Sequence, residues 1–268
     1  MAFLLSSHTL SVSYGPKGAR VLDGFSAGFA HRRFTALVGP NGCGKSTFLK
    51  TVMGFLKPVS GEVTLDGQPI AGIGRRALAR RIAYLPQENF CPDYLSVGEL
   101  VELGGYARYS LFGGPSDADR KAFLNALATV GLSDMGHLPV NRLSGGQRQR
   151  AWIAMVLAQD ADIILLDEPV NHLDLRFQYS VLELVRDLTI QRGKTVISVL
   201  HDLNLAATFA DDVVIMREGR TIADGPTEQT ITRDNVMAAF EIEADVFARD
   251  GRIVCLPEPK RTQQALAS

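Results

Sequence analysis

The sequence predicts an α/β fold whose core is a parallel β-sheet. Four short aliphatic segments have the length and composition of buried strands, at residues 34–38, 163–166, 195–200 and 213–216. They lack the alternation expected of a half-exposed strand, which favours parallel strands covered on both faces. Segments of helical periodicity, such as 175–192 and 203–210, separate them. Strands that alternate with helices along the chain are typical of the α/β class.

Two segments in the N-terminal part predict antiparallel structure. "TLSVSYG", residues 9–15, alternates polar and apolar residues and ends at a Gly-Pro turn. "GEVTLDGQPI", residues 61–70, carries Asp66-Gly67 at its centre, and this pair favours a tight hairpin turn. We therefore expect an antiparallel β subdomain beside the parallel core.

Strand signals are absent from residues 89–158. Helices are predicted there instead, at residues 97–107, 117–130 and 145–158. The glycine-rich stretch "YSLFGGPSD" separates the first two of them. This part of the chain is interpreted as a helical subdomain inserted into the α/β core.

The predicted organisation is one domain with an insertion. Residues 1–88 and 159–225 form the β subdomain and the core, and residues 89–158 form the helical subdomain. Residues 226–268 form a short C-terminal extension, with a helix at 233–240 and a hairpin in "ADVFARDGRIVCLP" that turns at Asp250-Gly251.

Composition limits the classes of partner. The chain has 268 residues and a formal net charge of -1, so it has no general attraction to nucleic acid or anionic lipid. The spacing of its three cysteines fits neither a disulfide framework nor a zinc site, which favours a reduced, cytosolic setting. No apolar run reaches the roughly 18–20 residues that span a bilayer, and the N-terminus lacks the features of a signal peptide. We expect a protein that meets a membrane only through a partner.

A phosphate-binding loop is predicted after the strand at 34–38. The stretch "GPNGCGKS" matches G-x-x-x-x-G-K-[ST] and lies between a predicted strand and a predicted helix. Glycines let the backbone turn its N–H groups inward, and the helix that begins near Lys45 adds positive charge at its N-terminus. Lys45 is expected to reach the β- and γ-phosphates, and the Ser46 hydroxyl to bind Mg²⁺. The alternative is an ordinary glycine turn.

Every residue of this loop is a candidate nucleotide contact. They are Gly39, Pro40, Asn41, Gly42, Cys43, Gly44, Lys45, Ser46 and Thr47. Cys43 allows a second interpretation, a redox-active thiol, because helix N-termini lower thiol pKa values. The simpler interpretation is a small residue tolerated in a tight loop.

Two adjacent acids end another predicted strand. In "IILLDEP", Asp167 and Glu168 follow an apolar run, at the strand end where ligands bind in open α/β sheets. Asp167 is expected to hold the Mg²⁺ shell. Glu168 is expected near the γ-phosphate, where it could polarise an attacking water. The alternative is a solvated pair of acids at a strand end.

Two further polar residues follow strands. His201 in "SVLHDLN" is a candidate γ-phosphate contact, although a lone histidine is usually structural. Gln87 in "YLPQEN" follows a short strand at 82–85, and its amide could touch Mg²⁺ or water. Taken alone, Gln87 would be assigned a structural role.

A second loop resembles a phosphate site. "NRLSGGQRQRAWIAM" runs from a glycine-bearing turn directly into the helix predicted at 145–158. Such a helix start offers N–H groups and a hydroxyl to an anion. Because it lies in the helical subdomain, we expect it to be too far from the first loop to bind the same phosphate. It is predicted to clamp the γ-phosphate held by a second copy of the chain.

Together these motifs resemble the ATP-binding cassette (ABC) ATPases. "GPNGCGKST", "LPQ", "LSGGQRQR", "LLDEP", "NHLD" and "LHD" occur in the order and approximate spacing of that family, over nearly the whole chain. The resemblance implies a RecA-like P-loop NTPase core with an N-terminal antiparallel β subdomain and an inserted α-helical subdomain. It also implies ATP hydrolysis with Mg²⁺.

The resemblance also assigns roles to individual residues. Tyr14 resembles the aromatic residue that stacks on adenine, and Gln87 the glutamine that links Mg²⁺ to the helical subdomain. Asp174 resembles the aspartate that crosses the dimer, and His201 the switch histidine. The signature consists of Ser144, Gly145, Gly146 and Gln147. Val170 departs from the family pattern, which often has threonine after "DEP", but it lies outside the catalytic set.

The partners implied by the resemblance are those of a transporter ATPase. They are a second copy of the chain around two ATP molecules, an integral-membrane permease and, indirectly, a periplasmic or surface substrate-binding protein. The protein would lie peripherally on the cytoplasmic face of the inner membrane. "LSGGQRQRAWIAMVLAQD" and "VLHDLNLAATFAD" look like the ATPases of iron–siderophore importers, close to those for haem and vitamin B12. The cargo rests on resemblance alone.

Two other classes compete with this interpretation. A soluble ABC ATPase of DNA maintenance or translation would be expected to carry a long coiled coil, a second cassette or a basic surface, and the sequence shows none of these. A metabolic P-loop kinase would not explain "LSGGQ" or "LHD". The sequence therefore favours the transporter ATPase.

Overall fold

The computed structural model describes residues 3–15, 18–109 and 114–258. Within them the chain forms twelve strands and nine α-helices, in the order β1 (Phe3–Ser13), β2 (Arg20–Ala30), β3 (Phe34–Val38), α1 (Lys45–Val52), β4 (Ser60–Leu65), β5 (Gln68–Pro69), α2 (Arg75–Arg81), β6 (Ile82–Leu85), α3 (Val97–Leu103), α4 (Asp117–Thr129), α5 (Gly145–Ala158), β7 (Ile163–Asp167), α6 (Leu175–Arg192), β8 (Thr195–Val199), α7 (Leu203–Phe209), β9 (Asp212–Arg217), β10 (Arg220–Pro226), α8 (Thr227–Thr230), α9 (Arg233–Phe240), β11 (Ala244–Arg249) and β12 (Arg252–Pro257).

A six-stranded sheet forms the centre, in the order β10-β9-β3-β8-β7-β6. The five strands from β9 to β6 run parallel, and only β10 is antiparallel. Each strand predicted for the core is present, with ends that differ by no more than one residue. The parallel α/β prediction is therefore confirmed.

A second sheet, β2-β1-β4-β5, is antiparallel, as predicted. Strand β1 begins at Phe3, earlier than the segment predicted from Thr9. The backbone is irregular at Thr9 (φ 43°), but the strand pairs with β2 on both sides of this residue. Asp66 and Gly67 form the predicted hairpin turn between β4 and β5. The turn predicted at Gly15-Pro16 includes Pro16, which lies outside the described residues.

The central sheet separates two apolar cores. On β7, Ile164 and Leu166 face one core, and Ile163 and Leu165 face the other. The first core includes the helices of segment 89–158, and the second includes α1 and the antiparallel sheet. Burial on both faces explains why the strand segments show no alternation in the sequence.

The three helices of segment 89–158 share one way of starting. Each has a serine at its N-cap and an acid or amide three residues later, and both exchange hydrogen bonds with the opposite backbone. The pairs are Ser96 with Glu99, Ser116 with Asp119, and Ser144 with Gln147. The helix predicted at 97–107 consists of two parts: the α-helix α3 ends at Leu103, and a 3₁₀ turn follows from Gly104 to Ala107. Part of "YSLFGGPSD", residues 110–113, lies outside the described residues.

The C-terminal segment forms the predicted helix α9 and the predicted hairpin, β11 with β12, turning at Asp250-Gly251. Among the described residues, no helix has both the length and the apolar character required to cross a bilayer.

Candidate active site

Four parallel strands deliver the predicted site residues to one edge of the central sheet. Strand β3 leads into the glycine-rich loop, β7 ends at Asp167, and β8 and β6 precede His201 and Gln87. In open α/β sheets this edge, at the carboxyl ends of the strands, is where ligands bind.

The glycine-rich loop requires glycine at two positions, Gly44 and Gly39. Gly44 has φ 108°, which other residues rarely adopt, and a Cβ there would lie 2.6 Å from Cδ2 of Leu22. At Gly39 (φ 153°) a Cβ would lie 2.2 Å from the carbonyl oxygen of Met216. The loop is therefore wedged between strands β2 and β9, with no space for side chains at these points.

Lys45 lies beneath the loop with 5% of its surface exposed. Its ammonium group donates hydrogen bonds to the carbonyls of Gly39 at 2.8 Å and Pro40 at 3.0 Å. Lys45 is also the first residue of helix α1, so its charge adds to the positive N-terminus of that helix. Both features favour an anion within the curve of the loop.

Asp167 is nearly inaccessible, at 1% exposure, and both of its carboxylate oxygens accept a hydrogen bond. Ser46 donates to Oδ1 at 2.9 Å, and Tyr84 donates to Oδ2 at 3.2 Å. Burial raises the pKa of Asp167, while these two hydrogen bonds act in the opposite direction. Burial, together with the Asp167 charge, raises the pKa of Tyr84, which keeps its phenol protonated as a donor.

Glu168 is surrounded by three polar side chains. Its carboxylate accepts from the amide of Gln87 at 2.8 Å and from the amide of Asn171, and lies 2.7 Å from Nε2 of His201. Its backbone has φ 55°, a conformation unusual for a residue other than glycine. Such strained positions concentrate at functional sites, and this one is the acid that directly follows β7.

Many of the predicted site residues line one cavity of about 630 Å³; Asp167 does not line it but accepts a hydrogen bond from Ser46, which does. The predicted residues among its walls are Asn41, Gly42, Gly44, Lys45, Ser46, Thr47, Gln87, Glu168 and His201. Val21, Asn171 and His172 also line it and were not predicted. Asn171 and His172 lie in "NHLD", three and four residues after Glu168, so their place in the sequence could have identified them as site residues. Val21 comes from the other sheet and carries no local signal.

The oxygen atoms of Ser46, in the cavity wall, and of Asp167, hydrogen-bonded to it, suit Mg²⁺ as ligands. Among the described residues, no group of three or more histidine, cysteine or acidic side chains is placed to hold a metal. A hydroxyl and a carboxylate, Ser46 and Asp167, instead lie within hydrogen-bond distance of each other beside the phosphate loop. Mg²⁺ is usually held by one or two carboxylates together with substrate phosphates, so these residues fit it.

Cys43 is 4% exposed, and burial raises the pKa of its thiol. A reactive thiol needs a lowered pKa and access, so the structure favours the interpretation of Cys43 as a small packing residue. Val170, the departure from the family pattern, is buried in the first core.

Tyr14 is half exposed, and its hydroxyl lies 3.2 Å from that of Thr47 in the phosphate loop. The ring is thus next to the cavity, on the side of strand β1. Stacking of this ring on a base stays a prediction.

The signature residues form a separate group. Ser144 caps helix α5, and its hydroxyl accepts from the backbone N–H of Gln147 at 3.3 Å. Asp174 caps helix α6 by accepting from the N–H of Phe177 at 3.1 Å. Neither the signature nor Asp174 is among the described residues that line the cavity. Of the predicted site residues, the structure therefore brings together the phosphate loop, the acids, Gln87 and His201.

Comparison with known proteins agrees with these motifs. The family model described as "ABC transporter" matches residues 22–171. The petrobactin import ATP-binding protein FpuD of Bacillus anthracis is 38% identical over 258 residues, 96% of this chain and 94% of that protein. The ferric enterobactin transport ATP-binding protein FepC of Escherichia coli K12 is 40% identical, over 91% of this chain and 89% of that protein. The cobalamin import ATP-binding protein BtuD of Halobacterium salinarum is 36% identical, over 92% of this chain and 62% of that protein.

Solved structures show the same fold. A chain from an inward-facing ABC transporter described as metal-chelate type superposes with a TM-score of 0.81 at 26% identity, covering 96% of this chain and 98% of that one. The dimeric structure of the bacterial ABC transporter cassette MJ0796 superposes with a TM-score of 0.73 at 28% identity, covering 83% of this chain and 98% of that one.

Proposed function

The chain belongs to the ABC transporter family, and on this basis we propose that it is the ATP-hydrolysing subunit of an importer for an iron–siderophore complex. The observation that carries the hydrolytic function is the position of Glu168. Its carboxylate lies at the edge of the phosphate-loop cavity, 2.8 Å from Gln87 and 2.7 Å from His201.

The side chains of the cavity have separate roles in ATP hydrolysis. Lys45 and the N–H groups of the loop hold the β- and γ-phosphates of ATP. Glu168 orients an attacking water and accepts its proton, and Gln87 and His201 hold the Glu168 carboxylate in place. His201, which lines the cavity beside Glu168, would also contact the γ-phosphate. Phosphoryl transfer to water depends mainly on positioning and electrostatics, which this arrangement supplies.

Ser46 and Asp167 would hold Mg²⁺, with the Gln87 amide oxygen as a further ligand. When bound, the metal ion neutralises charge on the β- and γ-phosphates. The Asp167 carboxylate is already oriented by two hydrogen bonds, so little reorganisation is needed for it to act as a ligand.

A second copy of the chain completes the site. Ser144, Gly145, Gly146 and Gln147, with Asp174, lie outside the cavity of their own chain, which supports their use against ATP bound by a partner copy. The MJ0796 cassette, similar to this chain over most of its length, is dimeric. In such a dimer two ATP molecules would each lie between the phosphate loop of one copy and the signature of the other.

Segment 89–158 is the part that would act on the permease. It begins just after Gln87, which contacts Glu168, and ends with the signature helix α5. Closure of the dimer would move this segment, and an integral-membrane permease would follow it. The protein would then lie peripherally on the cytoplasmic face of the inner membrane, and meet a periplasmic or surface binding protein only through the permease.

The cargo assignment rests on the relatives. FpuD and FepC are named for petrobactin and ferric enterobactin, which favours an iron–siderophore complex. BtuD is named for cobalamin, so vitamin B12 is the main alternative and haem the second.

The test is purification of the tagged chain from detergent-solubilised membranes. We expect a permease to co-purify, and its reconstituted complex to hydrolyse ATP faster when a binding protein loaded with a ferric siderophore is added. The Lys45→Ala complex should assemble but bind ATP weakly, which separates assembly from hydrolysis. Stimulation by loaded cobalamin- or haem-binding protein alone would reassign the cargo. Recovery with ribosomes or DNA, without a permease, would contradict the transport function.

A further inference from the structure

The two signature glycines have different surroundings. A Cβ built at Gly145 would meet nothing within 4 Å. A Cβ built at Gly146 would lie 2.8 Å from Cδ1 and 2.9 Å from Cγ of Phe177, closer than real Cβ contacts come. The ring of Phe177 therefore lies directly on the backbone of Gly146, whereas Gly145 is open to the outside.

Phe177 joins two helix starts. It is the third residue of α6, and its backbone N–H donates to Asp174, the N-cap of that helix. Gly146 is the second residue of α5, whose N-cap is Ser144. The ring thus connects the signature loop, in the helical segment, to the Asp174 loop, which follows the catalytic acids.

We propose that Phe177 is a positioning residue that holds the signature and the Asp174 loop as one unit, and that Gly146 is glycine because this ring needs its space. The proposal rests on the function proposed above, since both loops are assigned to the ATP of a second copy. A misplacement of about 1 Å can lower the rate by about 100-fold, so two loops that meet one nucleotide need a fixed separation. An aromatic ring packed flat against a backbone without a side chain leaves little freedom between the helices.

Neither helix propensity nor capping explains the glycine at position 146. Alanine is the better helix former, so a position inside the first turn of α5 would favour it over glycine. Gly146 also carries none of the capping hydrogen bonds described for α5, which Ser144 and Gln147 make. Contact with Phe177 is the feature within the chain that demands the absence of a Cβ.

The test is a rescue experiment with four purified proteins: wild type, Gly146→Ala, Phe177→Ala and the double variant. Gly146→Ala should lower ATP turnover by roughly tenfold or more, because the added methyl group displaces the ring. Phe177→Ala should lower turnover less. The double variant should recover to the level of Phe177→Ala, because the methyl group then has space. If the double variant is as inactive as Gly146→Ala, or the two losses multiply, the proposal is wrong.

Gly145→Ala is the matched control for rescue. Its methyl group points away from Phe177, so Phe177→Ala should not restore whatever activity it loses. Phe177→Leu keeps an apolar side chain over Gly146 and should retain more activity than Phe177→Ala. Rescue of both glycine variants alike by Phe177→Ala would contradict a specific contact.

A second measurement separates positioning from general destabilisation. ATP affinity of the monomer should be the same in all variants, because the Lys45 site lies elsewhere. ATP-induced dimerisation, measured in a Glu168→Gln background, should weaken in Gly146→Ala and recover in the double variant. Loss of monomer ATP affinity in step with turnover would overturn the proposal. Failure of the wild-type complex with its permease to hydrolyse ATP would instead refute the proposed function.

Discussion

The hydroxyl of Tyr84 donates a hydrogen bond to Oδ2 of Asp167 at 3.2 Å, on the opposite side of the carboxylate from Ser46. The two donors fix the plane of a carboxylate that is almost fully buried. Tyr84 packs in turn against the exposed ring of Phe55, with ring centroids 6.1 Å apart. The exposed Phe55 thus packs on the side chain that holds the buried Asp167 carboxylate in its orientation.

Tyr84→Phe should weaken the response to Mg²⁺. Removal of the donor leaves Oδ2 without its partner, so the carboxylate is less well oriented as a ligand. We expect the Mg²⁺ concentration for half-maximal activity to rise by roughly 10- to 100-fold, measured at saturating ATP. ATP binding in EDTA should not change. Tyr106→Phe, at an exposed position, is the control, and an equal loss of ATP binding without metal would contradict this role.

Glu168→Gln should stop hydrolysis and keep binding. The amide cannot accept the proton of the attacking water, so we expect kcat to fall by about 10²- to 10⁴-fold, with ATP affinity nearly unchanged. Single-turnover hydrolysis and nucleotide binding, measured side by side, distinguish the two. Glu218→Gln changes an exposed acid and should behave as wild type. Turnover retained in Glu168→Gln would remove its assignment as the base.

Ser144→Arg should abolish ATPase activity while ATP binding to the isolated monomer stays nearly unchanged. The large cation at the start of α5 would block the approach of the second copy, but lies outside the cavity of its own chain. Ser116→Arg removes the same kind of capping serine from α4 and should cost only stability. If monomer binding fell with Ser144→Arg, the two-chain site would be refuted.

Asp119→Asn should destabilise the protein in a pH-dependent way. Asp119 accepts hydrogen bonds from Ser116 and from Arg108, at 2.6 Å and 2.9 Å, and these hold its pKa below the usual range. A lowered pKa in the folded state means that the stabilisation is present above the pKa of the unfolded chain and lost as the pH falls. We expect a loss of about 1–3 kcal/mol near pH 7 that shrinks below about pH 4.

Urea unfolding at several pH values measures this difference in the free energy of unfolding. Asp117→Asn, an exposed acid at the start of the same helix, should show a much smaller effect. A loss for Asp119→Asn that stays constant down to pH 3 would show that the charge of Asp119 is not its source.

Local patterns were sufficient for most elements. Strand 34–38 and the helices at 145–158 and 175–192 were predicted with their observed ends. Their signals are local: a run of buried apolar residues, or a capping residue directly before the first turn, such as Ser144 or Asp174. The site motifs follow strands for the same reason, so their meeting at one sheet edge could be predicted from the α/β class.

Contacts between sheets and between helix starts could not be predicted this way. Strand β2 and helix α2 were not identified, and Val21 on β2 lines the cavity through packing across two sheets. The contact of Phe177 with Gly146 joins residues 31 positions apart in different parts of the fold. Such pairs depend on how finished elements pack, and neither residue carries a pattern that points to the other.

The place where the helical segment joins the sheet makes the molecule modular. The chain leaves for this segment after β6, the last strand of the central sheet, and returns into β7, its neighbour. Because β6 and β7 are parallel, the chain leaves at the carboxyl end of β6 and returns at the opposite end of β7. Strands β3 and β7 each pair with β8, so their order does not depend on the segment between β6 and β7. Residues of this segment outside the signature, Ser144 to Gln147, could change in length or identity without reordering the strands that carry the phosphate loop and the acids. Under the proposed function, a different permease could be matched by such changes, while the signature and the residues at the strand ends stay the same.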